Sequence, residues 1–511
     1  MATVDWAKPS VSVSEAESRR DVLLSEEYVV QAMPAILGTF DMTSTYLLII
    51  FFITNATVAV SGGAAAFTYL ILGGITFYIP CVIATAQLGV MFPYEGSLYN
   101  WTHKALGGYW SFFVAFCAWF PGVLVMISAG DALVAFIQGL NGNWLTQPWQ
   151  QGLVICLIII FYGVLAVQRY RTVQNVVNVA ACLTFLGVAI IGLAGVVWLL
   201  QGHHSATSFN SFNDWSVQWN GPSANLSLFG LITLAYLGME APLNMGGEIR
   251  ERRTITRHLL IGTVLVFVGY FIATFSTLVV MGPTNGAVPF ALVSTVDTAL
   301  GKFMGGITAV CIMSFFVVTG IVYNFTYARL LLVGGIDQRL PARVGRLNKH
   351  RVPGNAIIFQ TMVAIALTLL VFLVVPLVGQ FGNPVNLSIE VYNVMLASST
   401  LVWAISTAFL FVNITRFYLR DREVFRKQLI FPMPVLWVSI VLGSVSCLLA
   451  IVGTLFFSWI PSLISNNQWW YIIGGLTAIC LVIAGIGSML ASSEASWQGL
   501  RGIEPDEERE R

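Results

Sequence analysis

Roughly twelve apolar stretches, each near the ~20 residues a helix needs to cross a bilayer, follow one another through almost the whole chain. They run from Leu37 to Val60, Ala64 to Met91, Tyr109 to Leu140, Gln151 to Gln168, Val173 to Leu200 and Leu226 to Ile249. The second group is His258 to Met281, Phe303 to Gly334, Asn355 to Val378, Ser388 to Phe417, Met433 to Phe457 and Trp469 to Leu490. In lipid each segment must satisfy its own backbone, which for such long apolar runs means α-helix. Only 10% of the residues are charged, against about 25% in soluble proteins, so lipid must cover much of the surface. No polar linker divides the chain, and one membrane domain with short tails is expected.

The basic residues carry the topology. With the N-terminus placed inside, every Lys and Arg except Lys302 falls in a cytoplasmic stretch, Arg329 among them. That is the asymmetry of the positive-inside rule, and a miscounted segment would scatter the charges over both faces. The reading is a multi-pass protein of the cell membrane with both termini cytoplasmic. Residues Met1 to Glu27 lack the pattern of a cleavable signal. Trp469, Trp470 and Tyr471 fit an aromatic belt at a membrane surface. The tail from Ala491 to Arg511 is short, mixed in charge and expected to be disordered.

Several functions are disfavoured. No basic stripe suggests nucleic acid. The seven cysteines lie in apolar runs without a CxxC pair, as buried reduced thiols do. The five histidines sit in loops or at segment ends, and His203-His204 has no third ligand nearby. Neither a metal site nor a cofactor is expected, and no enzymatic dyad lies at membrane depth.

Ionisable groups in a membrane span are costly and therefore candidates for function. Asp41 and Glu390 lie near segment ends, where an N-cap or a solvated position accounts for them. Asp131, beside Gly130 in the third segment, either hydrogen-bonds within the bundle or lines an outer vestibule. Glu240 stands in a run with no other charge, two residues after Gly238 and two before Pro242. Glycine weakens a helix and proline removes a donor and clashes with the preceding turn. The segment is either unwound there or a proline-kinked helix around a protonated, hydrogen-bonded glutamate. Unwound backbone at this depth is tolerated only when buried in protein or lining a wet cavity, where its free amides and carbonyls bind charged groups of a substrate. The first segment carries a second candidate break at Thr54-Asn55, unless those side chains only satisfy local backbone.

The run Ala235 to Ile249 (AYLGMEAPLNMGGEI) resembles the sixth helix of the amino acid–polyamine–organocation transporters, with Tyr236, Leu237, Gly238 and Glu240 at the family positions. Arg329, Asp337, Leu340, Pro341 and Pro353 fit a second family pattern. Gly73-Gly74 through Gln87-Leu88-Gly89, then Pro93, Gly96 and Tyr99, fit a third. The stretch from Gly74 to Pro80 is most similar to the glutamate/GABA antiporter group.

The resemblance implies an all-α fold of about twelve helices, built as two inverted five-helix repeats (about 31–200 and 225–418) plus two helices (433–490), flanked by tails at 1–30 and 491–511. It implies secondary transport of an amino acid or related amine, with a channel or amino-acid receptor on the same scaffold as the alternative. The substrate-facing residues it implies are Phe52, Ile53 and Thr54 in the first segment and Ala235, Tyr236, Leu237 and Gly238 in the sixth. Tyr236 would be the gate, and Glu240 and Asp131 the coupling or gating acids. Phe52-Ile53-Thr54 replaces the family's Gly-x-Gly, which crowds the expected carboxylate site. Ala181 stands where proton-coupled relatives carry a lysine, and Gln87 replaces a glutamate. The partners implied are a small-molecule substrate and membrane lipid; the sequence names neither the cargo nor any coupling ion.

Overall fold

The computed structural model describes residues 23–217, 222–286, 288, 290–374, 376, 387–461 and 463–501. Of the expected tails at 1–30 and 491–511, residues 1–22 and 502–511 lie outside the described residues. Among the described residues, ten helices are long and apolar enough to cross a membrane. They are built from the stretches that the sequence marks as apolar. Their outward faces carry exposed aliphatic side chains such as Leu260, Val310, Val441, Leu448 and Met489, as a lipid-facing surface requires.

A short helix, α1 (Leu24–Ala32), precedes the bundle. The first segment is not one helix but two, α2 (Thr39–Ile50) and α3 (Asn55–Val60). Next come α4 (Ala65–Met91) and the short α5 (Ser97–Leu106). The long helices α6 (Gly108–Leu140), α7 (Pro148–Ala166) and α8 (Tyr170–Leu200) follow. The sixth segment opens with α9 (Pro222–Leu234) and continues as irregular chain with two 3₁₀ turns, Ala241–Asn244 and Gly246–Glu248. After it come α10 (Arg252–Val280), the short α11 (Ala291–Leu300) and α12 (Lys302–Ile336). The chain ends with α13 (Gly354–Val374), α14 (Leu387–Arg420), α15 (Met433–Phe456) and α16 (Asn466–Arg501). Among the described residues, ten of the apolar stretches are continuous candidate spans, and the first and sixth are interrupted.

The interruptions sit in the centre of the bundle. α2 packs between α8, α10 and α12, and α6 packs along α12 and α14. Small residues allow the close approaches: a Cβ on Gly122 of α6 would come within 2.8 Å of the Tyr327 ring, and one on Gly269 of α10 within 2.7 Å of Phe51. Lipid supplies no hydrophobic drive between helices, so this interlocking provides the packing energy.

Five expectations change. The chain from Ala491 stays helical as far as Arg501, because no proline interrupts it. Residues 24–30, assigned to a tail, form most of α1 and are fastened to the bundle: Ser25 binds Asp337 through its amide and hydroxyl, and Glu26 pairs with Lys104 at 2.8 Å. Cys182 is exposed on α8, while the other six cysteines are buried. Trp469 turns inward, its Nε1 donating to Thr454 O at 2.8 Å, whereas Tyr471 is exposed. Arg329 is not a loop cation but a fully buried side chain within α12.

Candidate functional site

α2 ends at Ile50 because Phe51 turns out of the helical region, to φ −79° and ψ 67°. The last carbonyls of any helix lose their intrahelical donors, and at membrane depth such an orphan is costly. Here side-chain hydroxyls replace those donors. Thr319 Oγ1 donates to Leu48 O at 3.1 Å and Tyr323 OH to Ile49 O at 2.8 Å, both from α12. Tyr270 OH of α10 donates to Ile50 O at 3.0 Å. Beyond the break, the amides of Asn55, Ala56 and Thr57 bond to the carbonyls of Phe52, Ile53 and Thr54 and start α3.

The sixth segment leaves its helix at Leu234. Gly238 takes φ +105°, a left-handed conformation that glycine adopts freely. A Cβ there would lie 2.8 Å from the Trp403 ring and 3.0 Å from Ile49, so Gly238 lets the sixth segment lie against both the first segment and α14. Among the described backbone hydrogen bonds, the amides of Ile53, Thr54, Gly238 and Met239 donate to no carbonyl.

Tyr270 joins the two breaks. Its hydroxyl faces Ile50 O at 3.0 Å, Ala235 O at 3.3 Å and Phe52 O at 3.5 Å, and receives Asn55 Nδ2 at 3.4 Å. One phenolic proton cannot serve three carbonyls, so two of them have spare acceptor capacity. Tyr236 is fully buried beside this point. Its ring stacks on Tyr78 at 4.6 Å and 11°, and its hydroxyl donates to Leu70 O at 3.3 Å. Tyr78 ends a π-helical turn, Gly74–Tyr78, inside α4, the kind of local widening that recurs at functional sites. Its hydroxyl lies 2.8 Å from that of Tyr46.

The remaining predicted residues distribute around this centre. Phe52 is edge-on to Phe315 and Phe316, while Ile53 and Leu237 are buried. Thr54 Oγ1 is 3.0 Å from Tyr392 OH of α14. Glu240 lies on the α14 side of the break, its Oε1 accepting from Trp403 Nε1 at 2.7 Å and Thr407 Oγ1 at 3.4 Å. Its buried Oε2 has no hydrogen-bond partner. Asp131 is buried in α6 within electrostatic reach of Tyr392. The breaks therefore bring Phe52, Ala235 and Tyr236 together at Tyr270, set Gly238 between Ile49 and Trp403, and leave both acids facing α14.

Asp41 has a structural explanation. It caps α2 through Gly38 N at 3.1 Å, accepts from Asn178 Nδ2 at 2.7 Å and pairs with Arg171 at 3.1 Å. Glu390 lies in the first turn of α14, where the helix dipole favours an acid. Among the described residues no group of three or more His, Cys, Asp or Glu could hold a metal ion. The largest cavity described, about 640 Å³, opens between α3, α9 and the chain after α15, at Ser61, Gly62, Leu228, Leu231 and Trp459. None of the predicted site residues lines it.

Sequence reasoning missed the residues that hold the breaks: Tyr78, Tyr270, Thr319, Tyr323, Tyr392 and Trp403. The available signal was a tyrosine or tryptophan inside an aliphatic run, since a buried phenol or indole needs a polar partner.

Free amides and carbonyls at two interrupted crossings suit the binding of a small polar molecule. A family model described as amino acid permease matches residues 35–498. The chain belongs to the amino acid permease family. This permease is 25% identical over 334 residues to the branched-chain amino acid permease BcaP of Lactococcus lactis subsp. cremoris, covering 60% of this chain and 68% of that protein. It is 21% identical over 311 residues to the gamma-aminobutyric acid permease of Bacillus subtilis, covering 59% and 64%. A probable agmatine/putrescine antiporter, AguD of Lactococcus lactis subsp. lactis, is 23% identical over 258 residues, covering 49% and 53%. The protein is accordingly a multi-pass membrane transporter of amino acids or amines, not an enzyme.

Proposed function

We propose that this permease moves its cargo across the cell membrane by alternating access, holding it between the unwound first and sixth segments. The supporting observation is the pairing of four carbonyl-free amides (Ile53, Thr54, Gly238, Met239) with the carbonyls around Tyr270. The amides suit an anionic group and the carbonyls an ammonium, as at the broken helices of secondary transporters. Tyr236, sealed against Tyr78, is the gate that must swing for the cargo to enter. Phe52 and Ile53 leave little room for a carboxylate, which favours amines or amino acids whose carboxylate is set away from the α-carbon. The names of the relatives span branched-chain amino acids, gamma-aminobutyric acid and agmatine/putrescine, and a cargo panel must include all three.

Glu240 is the coupling or gating acid in this reading, its unpartnered Oε2 being the place for a proton or a cationic group. Asp131 acts through Tyr392 on Thr54. Both termini are cytoplasmic, which puts the basic loops inside, and residues 31–200 and 225–418 form the two repeats.

Reconstitution into liposomes tests the proposal. Saturable uptake with counterflow of preloaded cargo is expected. Flux that does not saturate would make the protein a channel, and binding without flux a receptor. A thermal-shift screen of amino acids and amines finds the cargo first, because a specific ligand stabilises the folded protein by mass action.

A further inference from the structure

At the end of the bundle that carries the basic loops, three ionisable side chains meet out of reach of water. Glu95 lies in the turn between α4 and α5, Glu248 closes the second 3₁₀ turn of the sixth segment, and Arg329 projects from α12. Their side chains are 1%, 2% and 0% exposed. Arg329 Nε donates to Glu248 Oε1 at 2.7 Å, and Nη2 lies 2.6 Å from the same oxygen. Arg329 Nε is 3.4 Å from Glu95 Oε1. The guanidinium also covers the Tyr170 ring at 4.7 Å, and Gly247 N donates to Glu95 Oε2 at 2.9 Å.

The charges do not balance. Two carboxyls share one guanidinium, and an uncompensated buried charge costs several kcal/mol. Glu95 and Glu248 both reach the same guanidinium, at 3.4 and 2.6 Å, yet Glu95 Oε1 receives no hydrogen-bond donor. Two ionised carboxylates can only face each other as acceptors. One proton between them supplies the missing donor and removes the excess charge, as in other carboxyl pairs that share a site. Burial first, then the charge of Glu248, push the Glu95 carboxyl well above the ordinary range, and Arg329 pulls it back less.

The other charged groups nearby are accounted for. Tyr170 of α8 lies under the guanidinium, with Asp41 beyond it paired to Arg171. Glu26 of α1 is paired with Lys104 of α5. Asp337, just past α12, is bound by Ser25 and lies near Arg339.

The cluster also sits where this end of the molecule is fastened. Glu95 bridges to Met245, Gly96 N bonds to Asn244 O at 3.1 Å, and Ser97 Oγ bonds to Asn244 Oδ1 at 2.6 Å. Leu37 N donates to Glu248 O at 3.0 Å, tying the first segment to the same point. We propose that Glu95 and Glu248 hold one shared proton beneath Arg329, forming a proton-binding site that seals the cytoplasmic end and gives its proton to water when that end opens. On opening, the O–H bond of the shared carboxyl breaks, the proton passes to solvent, and both carboxylates become hydrated. On closing, one proton is taken up again. The assignment of this end as cytoplasmic rests on the charge distribution of the loops; the proton site itself does not depend on transport or on the cargo.

Infrared spectroscopy of the purified full chain tests the site directly. The wild type is expected to show a protonated-carboxyl stretch at mildly alkaline pH that shifts in heavy water. Glu95→Gln and Glu248→Gln should each lose it, because the remaining carboxylate is then balanced by Arg329. Glu240→Gln should retain it. If neither Glu95→Gln nor Glu248→Gln loses a component of the band relative to wild type, the shared proton is overturned. Gating is read by thiol labelling at Val29→Cys, a buried position packed against Gly247, with the unsubstituted chain as control for the exposed Cys182. Labelling, scaled at each pH to that of the same cysteine in the unfolded chain because the thiolate is the reactive form, should rise from mildly acid to mildly alkaline pH and become insensitive to pH when Glu95→Gln is added. Labelling that rises with pH equally in both backgrounds, or in neither, would overturn the coupling of the proton to opening.

Discussion

Gly238 presses its backbone against the indole of Trp403, the same indole whose Nε1 holds Glu240 at 2.7 Å. The helix break and the buried acid are thus parts of one contact between the sixth segment and α14. A Cβ on Gly238 would fall 2.8 Å from the ring on a backbone at φ +105°.

Gly238→Ala therefore meets both a strained backbone, worth about 1–2 kcal/mol, and overpacking, worth about 1–3 kcal/mol. A clear fall in melting temperature and loss of transport are expected. Gly475→Ala in α16, where no atom lies within 4 Å of the added carbon, should be neutral or slightly stabilising. Thermal unfolding of the two variants side by side checks this.

Tyr323→Phe removes the donor from Ile49 O and leaves a buried carbonyl unsatisfied. The expected cost is about 1–3 kcal/mol, and Thr319→Val should cost a similar amount at Leu48 O. Tyr270→Phe should be worse for transport than for stability, because that hydroxyl touches both breaks. Comparing melting temperature with initial uptake rate separates the two effects.

Glu240→Gln keeps an acceptor for Trp403, so the purified protein should stay folded. Its uptake rate or the pH dependence of uptake should change, since the amide cannot take up or release the proton. Transport equal to wild type at every pH would remove Glu240 from any coupling or gating role.

The Glu95 carboxyl, raised by burial, predicts the direction of a stability profile. A group that binds its proton more tightly when folded stabilises the fold fully below the ordinary carboxylate value and loses that contribution as pH rises through its raised value. The melting temperature of the wild type should therefore fall on going from acid to alkaline pH, and Glu95→Gln should fall less. Parallel profiles would show that Glu95 does not titrate with folding.

The sixth-segment break was legible because Gly238 and Pro242 bracket a lone acid, a pattern with a direct backbone meaning. The first-segment break was legible only as an alternative, since Phe51, Phe52 and Ile53 look like ordinary apolar helix. What ends that helix is a set of hydroxyls from α10 and α12, which are distant in sequence. Tyr270 and Tyr323 sit in aliphatic runs, where single-residue patterns cannot distinguish a cap from a core ring. Arg329 was miscounted as a loop cation for the same reason: only tertiary contact shows that Glu95 and Glu248 surround it. The helical end from Ala491 to Arg501 shows that mixed charge alone is a poor sign of disorder.

The three hydroxyls that finish α2 come from two other helices, and this links their mechanics. Thr319 and Tyr323 tie its final turn to α12, and Tyr270 ties it to α10. A movement of α2 must carry both helices along or break three bonds in a place without water to replace them. α2, α10 and α12 should behave as one stiff block, with the hinge at Phe51–Thr54, beyond which α3 moves only when its packing on α10 and the long 3.4 Å bond from Asn55 Nδ2 to Tyr270 OH give way. Spin labels spaced across that block would keep their separations through the working cycle, while a label on α3 would not.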